Sequence, residues 1–293
     1  VTTPSADGAR SAAADRASSP GAPATNTGNH EVLLRLQGIG KNFGPVQALT
    51  DINLELEAGA VTALVGDNGA GKSTLIKTIS GIWQPDGGQM FWEGKPVSLH
   101  SPRDATDLGI ATVYQDLALC DNLDIVQNML LGHELLRHRL LDEITMETTA
   151  KQTLSDLRVT TVRSVRQVVG SLSGGQRQAV AVAKAVMLDA RLVIMDEPTA
   201  ALGVSQTELV LSLITRLASR GHAVMVVSHN LNDVFQVADR IAVMYLGHLA
   251  AVGPTSEFDR ASVVDVMTTG ASTRRGDGGE HAASPGLTSG SEA

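Results

Sequence analysis

A chain of 293 residues that is 43% hydrophobic but only 3% aromatic holds one large or two small domains, with an aliphatic core of Val, Leu, Ile and Ala. A formal net charge of −8 speaks against a basic nucleic-acid-binding stripe, and a single cysteine, Cys120, excludes an internal disulfide and fits a reducing compartment. No run approaches the roughly 18 apolar residues of a membrane helix, and the start lacks the apolar stretch of a signal peptide. The expectation is a cytoplasmic protein that meets a membrane only through a partner.

Residues 1–30 are dominated by Ala, Ser, Thr, Pro and Gly and contain no Leu, Ile, Phe, Met, Trp or Tyr. Such a segment cannot bury enough apolar surface to offset its ordering entropy and is expected to be disordered. The folded unit is expected over 31–269. Within it, the apolar run Ala60–Val65 reads as a strand and is followed by Gly66-Asp67-Asn68-Gly69-Ala70-Gly71-Lys72-Ser73. The pattern is G-x-x-x-x-G-K-[ST], and Leu75, Ile76 and Ile79 give Lys72–Ile79 the apolar face of a helix. Glycines let successive N–H groups converge on an anion, and the helix N-terminus adds partial positive charge. Lys72 would reach the β- and γ-phosphates of a nucleotide, and the Ser73 hydroxyl would ligate Mg²⁺.

Ala111–Tyr114 reads as a further strand, ending at Gln115. From about 120 to 170 the pattern turns helical and strand-poor, with Leu123, Val126, Met129 and Leu130 on one face, as in a helical insertion. Cys120, just inside it, is expected to be a small buried apolar residue. Leu172-Ser173-Gly174-Gly175-Gln176 follows, with Ser173 and Gln176 at capping-box spacing ahead of a helix over Ser173–Leu188. Capping alone does not require two glycines, so close approach by a group such as a phosphate is expected there.

Leu192–Met195 is an apolar strand that runs into Asp196-Glu197. Ligands of open α/β sheets lie outside the carboxyl ends of strands, which places these acids for nucleotide chemistry. Asp196 suits an outer-shell Mg²⁺ role, and Glu197 suits polarising an attacking water. A helix over Ser205–Arg220 and strands Ala223–Val227 and Arg240–Met244 complete an alternating pattern, which predicts α/β architecture with a mainly parallel sheet. Residues 270–293, with Leu287 their only large apolar side chain, form a second tail expected to be disordered.

In this order and spacing, Gly66–Ser73, Leu172–Gln176 and Leu192–Glu197 resemble an ABC-type nucleotide-binding domain, over about 33–255. The resemblance implies a P-loop NTPase (RecA-like) core, an N-terminal antiparallel β region and a helical insertion subdomain, with ATP and Mg²⁺ as ligands. Residues Gly66 to Thr74 would hold the phosphates. Phe43 resembles the aromatic that stacks on adenine. Gln115 resembles the glutamine that senses Mg²⁺ and γ-phosphate and borders the groove for the membrane subunit. His229, after Ala223–Ser228, resembles the histidine that contacts the γ-phosphate. The family works as a head-to-tail pair, each ATP lying between one phosphate loop and the other subunit's Ser173–Gln176, so a second ATPase subunit is implied. The stretch usually written S-A-L-D is here Ala200-Ala201-Leu202-Gly203, which removes a carboxylate expected to meet the opposite subunit.

Gly44–Leu49, Leu123–Glu134, Thr199–Val204 and Ser228–Val243 are similar to the ATPases of bacterial monosaccharide importers, such as those for ribose, xylose or fructose. That likeness implies membrane permease subunits, an extracytoplasmic sugar-binding protein and a place on the inner face of the membrane. The alternative under the same resemblance is a transporter ATPase for a non-sugar substrate. A chromosome-maintenance or DNA-repair ATPase would carry long coiled-coil arms, for which the 120–170 insertion is too short.

Overall fold

The computed structural model describes residues 31–271; the tails expected to be disordered lie outside these, apart from Gly270 and Ala271. The chain enters as a long antiparallel pair, β1 (Val32–Phe43) and β2 (Val46–Glu57), and turns into β3 (Val61–Gly66) and α1 (Lys72–Ile79). β4 (Gly87–Trp92) and β5 (Lys95–Val97) return to the first sheet, and α2 (Pro102–Asp107) leads to β6 (Ile110–Val113). The insertion holds α3 (Ile125–Leu130), a small hairpin of β7 (Leu136–Arg137) and β8 (Leu140–Leu141), and α4 (Glu143–Asp156). α5 (Gly174–Met187), β9 (Leu192–Asp196), α6 (Val204–Ser219) and β10 (Ala223–Val227) come next. α7 (Leu231–Val237), β11 (Arg240–Tyr245), β12 (His248–Pro254) and α8 (Arg260–Thr269) complete the order.

Two sheets carry the architecture. The first is antiparallel, in the order β2-β1-β4-β5. The second has the order β12-β11-β3-β10-β9-β6, parallel throughout except at the β12 edge. The mainly parallel sheet and the antiparallel N-terminal region are as expected. Parallel strands need crossover helices, which cover both faces and make aliphatic runs such as Val61–Val65 favourable. Alternation then sorts the side chains. Leu64, Ile194, Met225 and Met244 pack with Leu75, Ile76 and the first sheet, while Val193, Met195, Val224 and Val226 pack against α5 and α6.

The insertion shares the core on the α5 side. Val126, Met129 and Leu130 are buried there with Met146, Ala150 and Leu154 of α4. Leu123 stands outside α3, because Asp124 caps that helix in a reciprocal box with Gln127. The β7–β8 hairpin is a departure from the strand-poor reading; its Leu136 and Leu140 are 67% and 74% exposed. Cys120 also departs from expectation. It is half-buried in the loop before α3, where its backbone N–H donates to the buried Asn128 and its carbonyl accepts from it.

Candidate active site

β3 delivers the chain to the loop at the carboxyl end of the sheet. Gly66 takes φ 158°, and a Cβ there would lie 2.6 Å from the Met244 carbonyl oxygen. Gly71, at φ 106°, is the N-cap of α1 and offers no side-chain cap, which leaves the first N–H groups of that helix for an outside acceptor. A Cβ at Gly71 would lie 2.9 Å from the Ala48 carbonyl, so only glycine fits. Ala70 is buried, accepting from Gly247 N and donating to Asp67 O, and so anchors the loop from behind. In front lies a cleft of about 410 Å³ between Asn68, Gly69, Ser73 and Thr74 on one side and Gln47 and Leu246 on the other.

Lys72 closes over the loop. Its Nζ donates to the carbonyls of Gly66 at 2.8 Å and Asp67 at 3.0 Å. Burial holds its pKa below the ordinary lysine value, against the opposing pull of Glu197, Asp196 and Asp67. Asp196, at the end of β9, is half-buried; burial first, and then the Glu197 charge, raise its pKa, with Lys72 and Lys77 opposing. Neither the Asp196 carboxylate nor the Ser73 hydroxyl makes a side-chain hydrogen bond among the described residues. A half-buried, desolvated carboxylate and a free hydroxyl are oxygen donors suited to a hard cation that keeps water or phosphate ligands. Among the described residues no group of three or more His, Cys, Asp or Glu gathers as a metal centre.

Glu197 sits in a left-handed backbone conformation, φ 50°, unusual for a residue with a side chain. Its N–H donates to Val227 O at 2.8 Å, which ties the end of β9 to the end of β10. Its carboxylate Oε2 lies 2.8 Å from Nδ1 of His229, whose ring is 69% exposed while the Glu197 side chain is 17% exposed. The sequence-predicted acid and histidine are thus brought together. Gln115, exposed after β6, shares a second cleft of about 400 Å³ with Glu197, Asp121, Gly174, Arg177 and Leu202.

Ser173 caps α5 in the expected reciprocal box: Ser173 N donates to Gln176 Oε1 at 2.9 Å, and Gln176 N to Ser173 Oγ at 3.4 Å. Gln176 also donates from Nε2 to Thr161 O at 2.6 Å. The reason for the two glycines differs from the expected one. A Cβ on Gly174 would lie 2.7 Å from Leu202 Cδ2, and one on Gly175 3.0 Å from Gln206 Cβ. Their close approach is made by this chain's own α6 and the loop before it. Within one chain, Ser173–Gln176 does not line the cleft that contains Ser73. Gly203 is the N-cap of α6, with extended backbone and nothing within 4 Å of where its Cβ would be.

Phe43 ends β1, opposite Val46, and is 40% exposed. It does not line the loop cleft, although Val46 and Gln47 do. Its ring meets Trp83 edge-on at 4.7 Å, Lys77 Nζ lies 4.7 Å from the Trp83 ring, and Lys41 Nζ lies 5.6 Å from Phe43. Sequence reasoning missed Trp83; the scarcity of aromatics in this chain was the available signal. It also missed Thr199 and Asp233, whose side chains meet at 2.6 Å beside the Glu197–His229 pair.

A protein-family model described as ABC transporter matches residues 49–200. The fructose import ATP-binding protein of Rhizobium meliloti is 44% identical over 245 residues, 81% of this chain and 94% of that protein. The xylose/arabinose import ATP-binding protein of Sulfolobus acidocaldarius is 44% identical over 237 residues, with the same two coverages. The ribose import ATP-binding protein of a Jannaschia species is 39% identical, over 82% of this chain but 46% of its own length. Among solved structures, the ADP conformation of an ATP-binding cassette of an ABC transporter superposes with TM-score 0.69 at 26% identity, over 81% of this chain and 95% of that one. A nucleotide-free cassette gives 0.67 at 27% identity, over 76% and 91%. No helix among the described residues is long and apolar enough to cross a membrane.

Proposed function

The chain belongs to the ABC transporter ATP-binding family, and from that premise we propose that it is the ATP-hydrolysing subunit of a monosaccharide importer, acting through a separate membrane permease. The observation that carries the hydrolytic part is the Glu197–His229 pair, 2.8 Å apart at the carboxyl end of the sheet and electrostatically coupled through Glu197 to Lys72. The sugar part rests on likeness to the fructose and xylose/arabinose proteins over 94% of their lengths.

In this reading the loop from Gly66 to Thr74 receives the phosphates of ATP, and Lys72 exchanges its two carbonyl partners for the β- and γ-phosphate oxygens. Phe43 faces the adenine. Ser73 and Asp196 would hold Mg²⁺, with Gln115 completing the set. The ion, when bound, neutralises charge on the phosphate oxygens. Glu197 orients and polarises the attacking water, and His229, its Nδ1 turned to Glu197, presents Nε2 toward the γ-phosphate. Catalysis is positioning plus charge stabilisation.

Ser173, Gly174, Gly175 and Gln176 do not line their own chain's loop cleft, which suits a head-to-tail pair in which they meet the ATP of a second subunit. A groove of about 260 Å³ between α2, β6 and α5, lined by Ala105, Tyr114, Leu117 and Ala181, would take a permease segment on the cytoplasmic side. The buried Thr112 hydroxyl in that groove has no hydrogen-bond partner among the described residues, which supports an outside one. An extracytoplasmic sugar-binding protein would supply the substrate; nucleic acid has no part in this reading.

Two variants separate binding from hydrolysis. Lys72→Ala removes the charge that meets the β- and γ-phosphates, so ATP affinity and turnover fall together. Glu197→Gln keeps size and shape but removes the charge, so ATP still binds, hydrolysis falls by orders of magnitude and the closed pair accumulates. Phosphate release and size-exclusion chromatography with ATP·Mg²⁺ report both. A Glu197→Gln protein that turns over near the parental rate removes Glu197 from the mechanism. Uptake of labelled fructose, xylose and ribose by cells carrying that variant tests the substrate, and undiminished uptake of all three overturns the sugar reading.

A further inference from the structure

Three consecutive ties join the loop after β9 to the segment after β10. The first is the backbone bond from Glu197 N to Val227 O at 2.8 Å, and the second is the Glu197–His229 side-chain contact at 2.8 Å. The third lies two residues beyond Glu197 on one segment and four beyond His229 on the other. There the Thr199 hydroxyl donates to Asp233 Oδ2 at 2.6 Å. Asp233 is only 9% exposed, on the first turn of α7. A buried carboxylate is costly unless it is hydrogen-bonded, and a short charge-assisted bond is the strong form of that compensation.

The turn between the second and third ties is conformationally unusual. Glu197 occupies the left-handed region at φ 50° and its carbonyl accepts from Ala200 N at 3.1 Å. An L-residue stays in that region only when its surroundings hold it there. Upstream, Glu197 is held by the Val227 carbonyl. Downstream, Ala200 N closes the turn onto the Glu197 carbonyl and Leu202 N donates to Thr199 O at 3.3 Å, while the Thr199 hydroxyl supplies the side-chain hydrogen bond that ties this loop to the buried edge of α7. Asp233 lies on the first turn of α7, whose Asn230 N-cap directly follows His229, so the same bond fixes the start of α7 close to the imidazole.

We propose that Thr199 and Asp233 form a positioning latch that holds the strained Glu197 turn and His229 in register, so that the carboxylate faces the attacking water. The proposal rests on the reading of Glu197 and His229 given above. Neither latch residue lines the loop cleft or the cleft at Gln115 and Glu197. Thr199 acts on Glu197 through the turn, and Asp233 acts on His229 through α7.

The test uses the full chain with Thr199→Val, which keeps the shape and removes the hydroxyl, beside Thr199→Ser, which restores it, and Asp233→Asn, which keeps an acceptor and removes the charge. Thr199→Val should lower the turnover number at least tenfold with the KM for ATP within twofold of the parent. Thr199→Ser should stay within about threefold of the parent, and Asp233→Asn should fall between the two. In the absence of nucleotide, the ring ¹⁵N shifts of His229, assigned with His229→Gln, should report a fixed Nδ1–H tautomer in the parent and move toward a mixed tautomer in Thr199→Val. If Thr199→Val unfolds, as thermal melting will show, the Asp233→Asn kinetics and His229 shifts carry the same test. The latch is overturned if the hydroxyl-free variant keeps both parental turnover and the parental His229 shifts while Glu197→Gln is inactive. It is equally overturned if Thr199→Ser fails as badly as Thr199→Val. An active Glu197→Gln protein overturns the hydrolytic reading instead.

Discussion

The cap of α5 gives a ranking that two substitutions can check. Ser173 Oγ accepts from Gln176 N at 3.4 Å, at the long end for such a bond, whereas Gln176 donates to Thr161 O at 2.6 Å and accepts from Ser173 N at 2.9 Å. Removing a helix N-cap costs about 0.5–2 kcal/mol, and the stretched bond puts Ser173→Ala near the lower end, about 0.5 kcal/mol. Gln176→Ala breaks two shorter bonds of roughly 1 kcal/mol each. Ser173 and Thr161 are exposed, so water recovers part of that and leaves a loss of about 1–2 kcal/mol. For a domain of this size, 1 kcal/mol moves the melting temperature by about 2–4 °C. Ser173→Ala should therefore lower it by about 1–2 °C and Gln176→Ala by about 2–8 °C, read by calorimetry on nucleotide-free protein. If Ser173→Ala costs as much as Gln176→Ala, the serine carries the cap and the bond lengths mislead. Under the proposed pairing, Ser173→Ala should still abolish ATP-dependent dimerisation despite its small effect on melting.

Three further outcomes follow from the geometry. Gly203→Asp places a preferred capping side chain in open space at the start of α6, so stability should rise by a few tenths of a kcal/mol, about 1 °C in melting temperature, while ATP affinity stays unchanged; a tenfold change in affinity, about 1.4 kcal/mol, would place residue 203 in the site. Gly71→Ala forces a side chain into φ 106° and to 2.9 Å from the Ala48 carbonyl, so ATP affinity measured by titration calorimetry should fall at least tenfold; parental binding would show that the loop relaxes freely. Asp196→Asn tests the desolvated carboxylate. Its folded pKa lies above the unfolded value, so ionisation withholds stability at neutral pH, and that deficit disappears as pH falls toward the ordinary aspartate value of about 4. The variant should melt above the parent at pH 7.5 by a margin that shrinks at pH 5, and a margin that grows on acidification contradicts the assignment.

The parts of the fold that the sequence made legible are those with one dominant physical cause. Ala223–Val227 is a strand because five consecutive apolar residues are buried on both faces of a parallel sheet, and Lys72–Ile79 is a helix because its apolar side fits a period of 3.6. The turn over Gly66–Ser73 was legible because Gly66, Gly69 and Gly71 all take positive φ at a fixed spacing. The β7–β8 hairpin was not, since its leucines are exposed and give no burial pattern to read. Cys120 was assigned by residue type alone, whereas its place is set by the Asn128 side chain eight residues on. The Thr199–Asp233 contact spans 34 residues between two segments, each of which reads separately as a polar loop or helix start. No local pattern encodes such a pair; only the parallel adjacency of β9 and β10 creates it.

Gly174 and Gly175 face different neighbours, and that inequality has a bearing on how the sequence can drift. A methyl group at 174 would meet two side-chain tips, Leu202 Cδ2 at 2.7 Å and Gln206 Oε1 at 3.4 Å, which can swing aside or be shortened by a second substitution. A methyl group at 175 would meet Cβ and Cα of Gln206, on the first turn of α6, where yielding means displacing a whole helix. On steric grounds position 174 therefore admits alanine in company with a smaller residue at 202, whereas a side chain at 175 requires the start of α6 itself to shift by a few tenths of an ångström. Two identical letters side by side thus carry unequal freedom, one negotiable with side-chain tips and the other only with the backbone of a helix.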